Sequence, residues 1–251
     1  MSFLPPVRAA MHERFLFNFR LPPELLADHV PVPWLQPHLI RDHAIISFCT
    51  LNLHHITVAP LPTIVGLHSL SCAYRFAVVD ARQPVPTPAV YVPDRYTNSA
   101  FGSWFTHLGF SAPHPFVHAS IEQIDADVTI RIAFPDGRTL FRARVSPAAT
   151  VQSALFDSHE SFADFIRTGV TSYGSSIRGQ KLTVVDLKKT ETVFEPMTVL
   201  DWDDGLLTTW GSGVQLDSAF RTARGQYQWT YHGLVPETGV ASQRAQPVVA
   251  Q

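Results

Sequence analysis

Twelve histidines give this chain an ample supply of side chains that titrate near neutral pH. Six of them, His54, His55, His68, His107, His114 and His118, lie between residues 54 and 118. Histidine serves as a general acid or base and also binds metals. As strand neighbours, His54 and His55 point to opposite faces, so the two do not serve one site. His114 and His118, in His114-Pro115-Phe116-Val117-His118, share a strand face and fit one cavity. Their spacing has no zinc specificity, and no metal is expected. No glycine-rich phosphate loop, nucleophile elbow or paired CxxC is present.

Arg75 interrupts an apolar run, Ala73-Tyr74-Arg75-Phe76. An unpaired buried charge is costly, so Arg75 lies either at a sheet edge or against a polar cavity. In the second case it is suited to gripping a ligand carboxylate. Glu122 is either a catalytic acid or half of a salt bridge. Asp94 and Arg95 read as solvated loop charges. Arginines number sixteen and lysines three, Lys181, Lys188 and Lys189. Lys188-Lys189 sits beside Asp186 and Glu191 and reads as a surface pair, because an activated lysine needs desolvation or a cationic neighbour. Cys49 and Cys72 read as buried thiols in strand-like runs rather than as a disulfide framework.

The elements that must position these groups follow from periodicity and turn chemistry. Arg14 to Arg20 alternates as a first strand, and Pro22-Pro23-Glu24-Leu25-Leu26 opens a short helix. Val30-Pro31-Val32-Pro33-Trp34 reads as an extended link. Ala44 to Ile56 and Val65 to Val79 are apolar on both faces, as central strands are. Val128 to Phe134 alternates, turns at Pro135-Asp136-Gly137 and returns through Leu140 to Val145. Asp157 and Ser158 are alternative caps for a helix with Phe162, Phe165 and Ile166 on one side, stopped by Gly169. Strands are expected near Leu182 to Leu187, Leu206 to Trp210, Val214 to Phe220 and Gln226 to His232, and Trp202-Asp203-Asp204-Gly205 reads as a turn. The pattern predicts an α+β, β-dominated fold with a curved antiparallel sheet or β-barrel and a few short helices. One domain spans 13 to 235, between a loose arm (1 to 12) and a tail (236 to 251).

The run Tyr91-Val92, then Gly109-Phe110-Ser111-Ala112-Pro113, resembles the active-site segment of acetoacetate decarboxylases, where Gly-Phe-Pro-Lys-Lys follows a Tyr-Val strand. The Pro-Pro-Glu-Leu-Leu helix, the Val30-Pro31 link, Ser161 to Ile166, Tyr173 and Lys181 to Leu187 are similar to the superfamily's YqjF-like branch of uncharacterised bacterial proteins. The resemblance implies a barrel with a small-molecule pocket, walled in part by Tyr91, Trp104 and Phe110. It also exposes two losses. The Schiff-base lysine and its cationic neighbour are replaced by Ala112 and Pro113, and no lysine precedes Lys181. The family's pocket glutamate has no counterpart, since no glutamate occurs between Glu24 and Glu122 and His68 or Leu70 stands nearest.

The expected function is therefore a small-molecule enzyme without the Schiff-base lysine, acting on a keto acid or enolisable carbonyl by lyase, isomerase or hydrolase chemistry. His68, His114, His118 and Glu122 are its candidate acid–base groups, and Arg75, Tyr91, Trp104 and Phe110 its ligand contacts. The alternative is a non-catalytic protein that holds a small ligand in the same pocket. No cofactor is expected. Net charge is −2, which gives no reason to expect nucleic acid. No apolar run approaches the ~18 residues of a membrane span. The 16% charged fraction is low and favours a homo-oligomer or a large buried interior over a highly solvated monomer. With no signal-peptide pattern, the expected location is cytoplasmic.

Overall fold

The computed structural model describes residues 4–62, 66–82, 84–100, 103, 114–176, 181–190 and 193–237. Strand β1 (Val7–Leu21) lies between β3 (Ala44–Val58) and β13 (Gln215–Pro236), antiparallel to both. From β3 the sheet continues through β4 (Leu67–Asp80) and β5 (Thr87–Val92) to β10 (Thr171–Ser175) and β11 (Lys181–Lys189). β11 pairs with β13, and β13 returns to β1, so seven strands close into a barrel. The β5–β10 pair is parallel, which makes the sheet mixed rather than wholly antiparallel. Two short strands, β2 (Leu35–Pro37) and β6 (Arg95–Thr97), also pair with β4.

β1 begins at Val7, inside the stretch expected to be a loose arm. The segments expected as separate strands near 214 and 226 are one strand, β13, carried past Arg224 by a positive φ of 61°. The Val30–Trp34 link is a turn rather than an extended run, with the Leu35 amide donating to the Val32 carbonyl. Helix α1 (Pro23–Ala27) forms where its prolines predict. Residues 238–251 of the expected tail lie outside the described residues.

From the first half of β13 a flap of four strands runs through β12 (Glu195–Asp204), β9 (Thr139–Pro147), β8 (Asp127–Ala133) and β7 (His118–Ile124). The β8–β9 hairpin turns at Pro135-Asp136-Gly137, where Gly137 takes φ 87° and supplies the conformation the turn requires.

Alternation along the barrel strands sorts residues onto two faces. Phe15, Phe17, Phe19, Phe48, Tyr74 and Phe76 pack with Ile130, Phe141 and Val145 of the flap. Phe141 lies 4.7 Å from Phe17 and 4.3 Å from Phe48, ring centre to ring centre. The opposite face carries Leu16, Cys49, Ala73, Ala77, Val90 and Phe220, which pack with α2 (His159–Thr168). Ser158 caps α2 by accepting from the Ser161 amide, and the Ser161 hydroxyl returns the bond. Cys49 and Cys72 are free thiols on paired strands and belong to opposite faces of the sheet.

Asp204, the last residue of β12, joins the flap to the barrel. Its Oδ1 accepts from the Tyr74 hydroxyl at 2.9 Å and from the amides of Leu206 and Leu207 at 2.9 and 2.7 Å. Those amide bonds start a 3₁₀ turn over Leu207–Trp210, where an apolar strand was expected. Oδ2 is buried with no partner among the described residues. Burial raises the carboxyl pKa, and the hydrogen bonds only partly offset it. Because the folded pKa lies above the unfolded one, the protonated form favours folding. That stability is complete below the unfolded pKa of about 4 and is lost as pH rises through the folded value. Asp204→Asn is expected to flatten this fall, so that its melting temperature approaches or passes the wild type's as pH rises from about 4 to 7. A melting-temperature difference that stays constant over that range would contradict the account.

Candidate functional site

The barrel's interior face carries an unusual set of cations. Arg14 on β1, Arg75 on β4 and Arg95 on β6 share it with Asn18, Ser47 and Cys49. Cross-strand register explains the grouping. Asn18 is opposite Ser47 and Ser47 opposite Arg75, while Cys49 is opposite Ala73 and Ala73 opposite Arg95. These side chains meet across the barrel rather than along one strand. Arg75 feels the charge of Arg14 and interacts with Cys49 and Tyr227. Arg95 reaches β10, where a Cβ on Gly174 would lie 3.6 Å from its Nη2 and 3.0 Å from Thr183 Oγ1. A side chain at 174 would crowd Thr183, while the Arg95 guanidinium lies at ordinary contact distance.

Arg14 is fully buried and donates to the Tyr227 hydroxyl at 3.1 Å. Asn18 donates to Ser218 at 3.1 Å and accepts from Ser47 at 2.7 Å, which fixes the row beside Arg75. Arg75 and Arg95 are crowded by protein atoms yet keep part of their surface accessible, as a ligand contact requires. Neither forms an ion pair with a described carboxylate. Burial, then the charge of Arg14, lowers the Arg75 pKa. Burial, then Arg75, brings Arg95 down to about 10. At neutral pH both remain charged.

A narrow cavity lies between these arginines and α2. Arg14, Ser47 and Arg75 line one side, and Phe165, Ile166 and Thr168 the other. No lysine lines it. Lys189 donates to the Ile166 carbonyl at 3.2 Å, and Lys181 and Lys188 are exposed. Within electrostatic range of Arg95 is His114, in the segment that reaches β6 through the Thr97 amide to Pro115 carbonyl bond. Burial and the charge of Arg95 push His114 down to about 3, so its imidazole is neutral under ordinary conditions.

The other candidates lie elsewhere. His68 is exposed near one end of β4, 4.4 Å edge-on to His54, which stacks at 3.7 Å on His12. His55 takes φ 55° at a register break in β3, so the alternation expected to separate His54 from His55 is lost there. Among the described residues no group of three or more His, Cys, Asp or Glu side chains is placed to hold a metal. His118 opens β7, exposed and edge-on to Phe116 at 5.3 Å, so it does not share the face of His114. Glu122 is exposed and paired with Arg131 at 2.9 Å. Tyr91 packs on the outer face, edge-on to Phe76 at 5.7 Å, with its hydroxyl 3.4 Å from the Ser175 hydroxyl. Trp104, His107 and Phe110 lie outside the described residues.

Two of the candidates, Arg75 and His114, thus each lie within electrostatic range of Arg95, and Arg75 also of Arg14. Arg95 is no solvated loop charge, because β6 turns it inward against Ala73. Arg14 carried a readable signal: it shares parity with Leu16 and Asn18 in an apolar strand, the same anomaly that marks Arg75.

The closed mixed barrel with its flanking flap is a fold shared with acetoacetate decarboxylase-like enzymes of known structure. The chain matches the enduracididine biosynthesis enzyme MppR, solved with pyruvate, over 95% of its own length and 92% of that chain, with a TM-score of 0.61 and 13% identity. It matches an acetoacetate decarboxylase-like enzyme from Sphingomonas wittichii RW1 over 91% and 92%, with a TM-score of 0.61 and 10% identity. Acetoacetate decarboxylase from Legionella pneumophila matches over 92% and 88%, also at 0.61 and 10%. At such identities the likeness establishes the fold. No protein-family model and no curated protein sequence matches the chain.

Proposed function

We propose that this chain is a small-molecule enzyme that binds a carboxylate bearing an enolisable carbonyl and works without a Schiff base. The observation that carries this reading is the grouping of Arg14, Arg75 and Arg95 on the face of a cavity lined by Arg14 and Arg75 and, among the described residues, by no lysine and no carboxylate. Arg75 grips the substrate carboxylate, and as a water molecule takes the proton from the carbon beside the carbonyl, the interior positive field stabilises the negative charge that develops on the carbonyl oxygen of the enolate. His114 is too weak a base at about 3 to take the proton itself, which revises the acid–base role expected for it. As a neutral imidazole beside Arg95 it suits hydrogen bonding to that oxygen. Membership of the YqjF-like branch, a single domain ending near 235, a homo-oligomer and a cytoplasmic setting complete the proposal. The low charged fraction and two free thiols support the last two.

Pyruvate is a suitable probe, since MppR was solved with it. In deuterated buffer, proton magnetic resonance is expected to show its methyl protons exchanging faster with the protein than without it, and borohydride is expected to trap no lysine adduct. A stable lysine adduct would overturn the mechanism. Binding without accelerated exchange would instead favour a non-catalytic ligand carrier.

A further inference from the structure

The interior site holds more positive charge than a single carboxylate neutralises. Arg75 lies within electrostatic range of both Arg14 and Arg95, and each neighbour lowers the tendency of the next to stay charged. Cys49 is the partner that offsets this at both Arg75 and Arg95, joined at Arg75 by the Tyr227 hydroxyl; neither is a carboxylate. His114, beside Arg95, is neutral and adds no further cation. Outside the described residues the sequence holds one acid, Glu191. Like charges held together in a restricted space are stabilised by an anion of matching charge, and a monoanion answers only one of the two charges on Arg75 and Arg95.

The placement of the arginines adds geometry to the charge count. Arg75 and Arg95 stand on adjacent strands, one residue row apart on the same face. Arg95 is placed on that face by its pairing with Ala73, and its guanidinium reaches β10 beside Gly174. Two guanidiniums so held present two separate donor forks.

We infer that the ligand of this site is a dianion, with Arg95 as the residue that selects the second negative charge. This rests on the proposed carboxylate-binding role of the same site. The shared chemistry is a pair of negative charges within reach of two guanidiniums, carried either by two carboxylates or by one phosphate monoester.

Calorimetric titration of the full chain with acetate, malonate and methyl phosphate separates these cases. Malonate or methyl phosphate is expected to bind the wild type at least tenfold more tightly than acetate. Arg95→Gln is expected to bring that ratio close to one by weakening the dianions far more than acetate. Arg95→Lys keeps the charge and is expected to retain most of the preference, and melting curves without ligand establish that each variant is folded. Preference for malonate over methyl phosphate assigns two carboxylates, and the reverse assigns one phosphate group. Equal binding of acetate and the dianions by the wild type, or a preference that survives Arg95→Gln, overturns the inference and leaves the carboxylate-binding reading standing. Failure of all three anions to bind overturns both.

Discussion

Arg75→Met is expected to melt at a higher temperature than the wild type and to bind pyruvate or malonate at least a hundredfold more weakly. The two effects have one cause. Without ligand, the Arg75 charge is held against Arg14 and Arg95 in a crowded interior, with no described carboxylate as partner. Methionine keeps much of the aliphatic stem and packs flexibly beside Ala77 and Leu16, while the repelling charge is gone. Replacing buried charged groups by apolar residues of similar volume has stabilised other proteins by about 1–4 kcal/mol, and part of that range is expected here because Arg75 keeps some solvent contact. With ligand, the same substitution removes a charge-assisted hydrogen-bonded anchor. A hundredfold loss corresponds to about 2.7 kcal/mol, within the range for such contacts. Differential scanning calorimetry and ligand titration measure the two arms independently. A variant that melts lower than the wild type would mean that Arg75 is a structural residue whose interaction with Cys49 matters more than its charge.

What could be read from the sequence and what could not divides along physical lines. β3, β4, the β8–β9 hairpin and α2 were legible because their signals are local: apolar residues on both faces, an Asp-Gly turn, a serine cap. Barrel closure was not, because β1 pairs with a strand some two hundred residues later, and periodicity carries no information about partners. The 3₁₀ turn at Leu207–Trp210 has the composition of a strand, and only the Asp204 carboxylate, capping the Leu206 and Leu207 amides, decides otherwise. In the site, Arg75 was legible because a charge in an apolar strand demands an explanation. Arg95 was hidden on a strand of three residues behind an exposed Asp94. The histidines misled because residue type says nothing about which face is interior. His68 and His118 sit on solvated surface, and of the described histidines His114 is the one placed beside Arg95.

Phe162→Ala is expected to cost about 3–5 kcal/mol of stability, the largest loss anticipated from one interior substitution here. Phe162 is fully buried. It stacks face to face on Phe220 at 3.8 Å and meets Phe156 and Phe194 edge-on at 5.2 and 5.3 Å. Those four rings come from the segment before α2, from α2 itself, from the loop before β12 and from β13, so truncation leaves a void shared by elements far apart in sequence. The neighbours cannot refill it, because β13 is held on both sides by β1 and β12 at this level. A competing outcome is local: α2 could lift off the barrel at less than the global unfolding cost. That would remove Phe165, Ile166 and Thr168 from the cavity wall and weaken ligand binding together with helix docking. Urea unfolding separates the two. A lowered midpoint with an unchanged slope means that α2 unfolds with the barrel as one cooperative unit. A small midpoint shift accompanied by faster amide exchange confined to 159–168 means that the helix is a separable cover. Because its buried residues pack with β1, β3, β4, β5 and β13 alike, the cooperative outcome is expected, and the stability of the barrel and the shape of the cavity beside Arg75 then rest on the same aromatic stack.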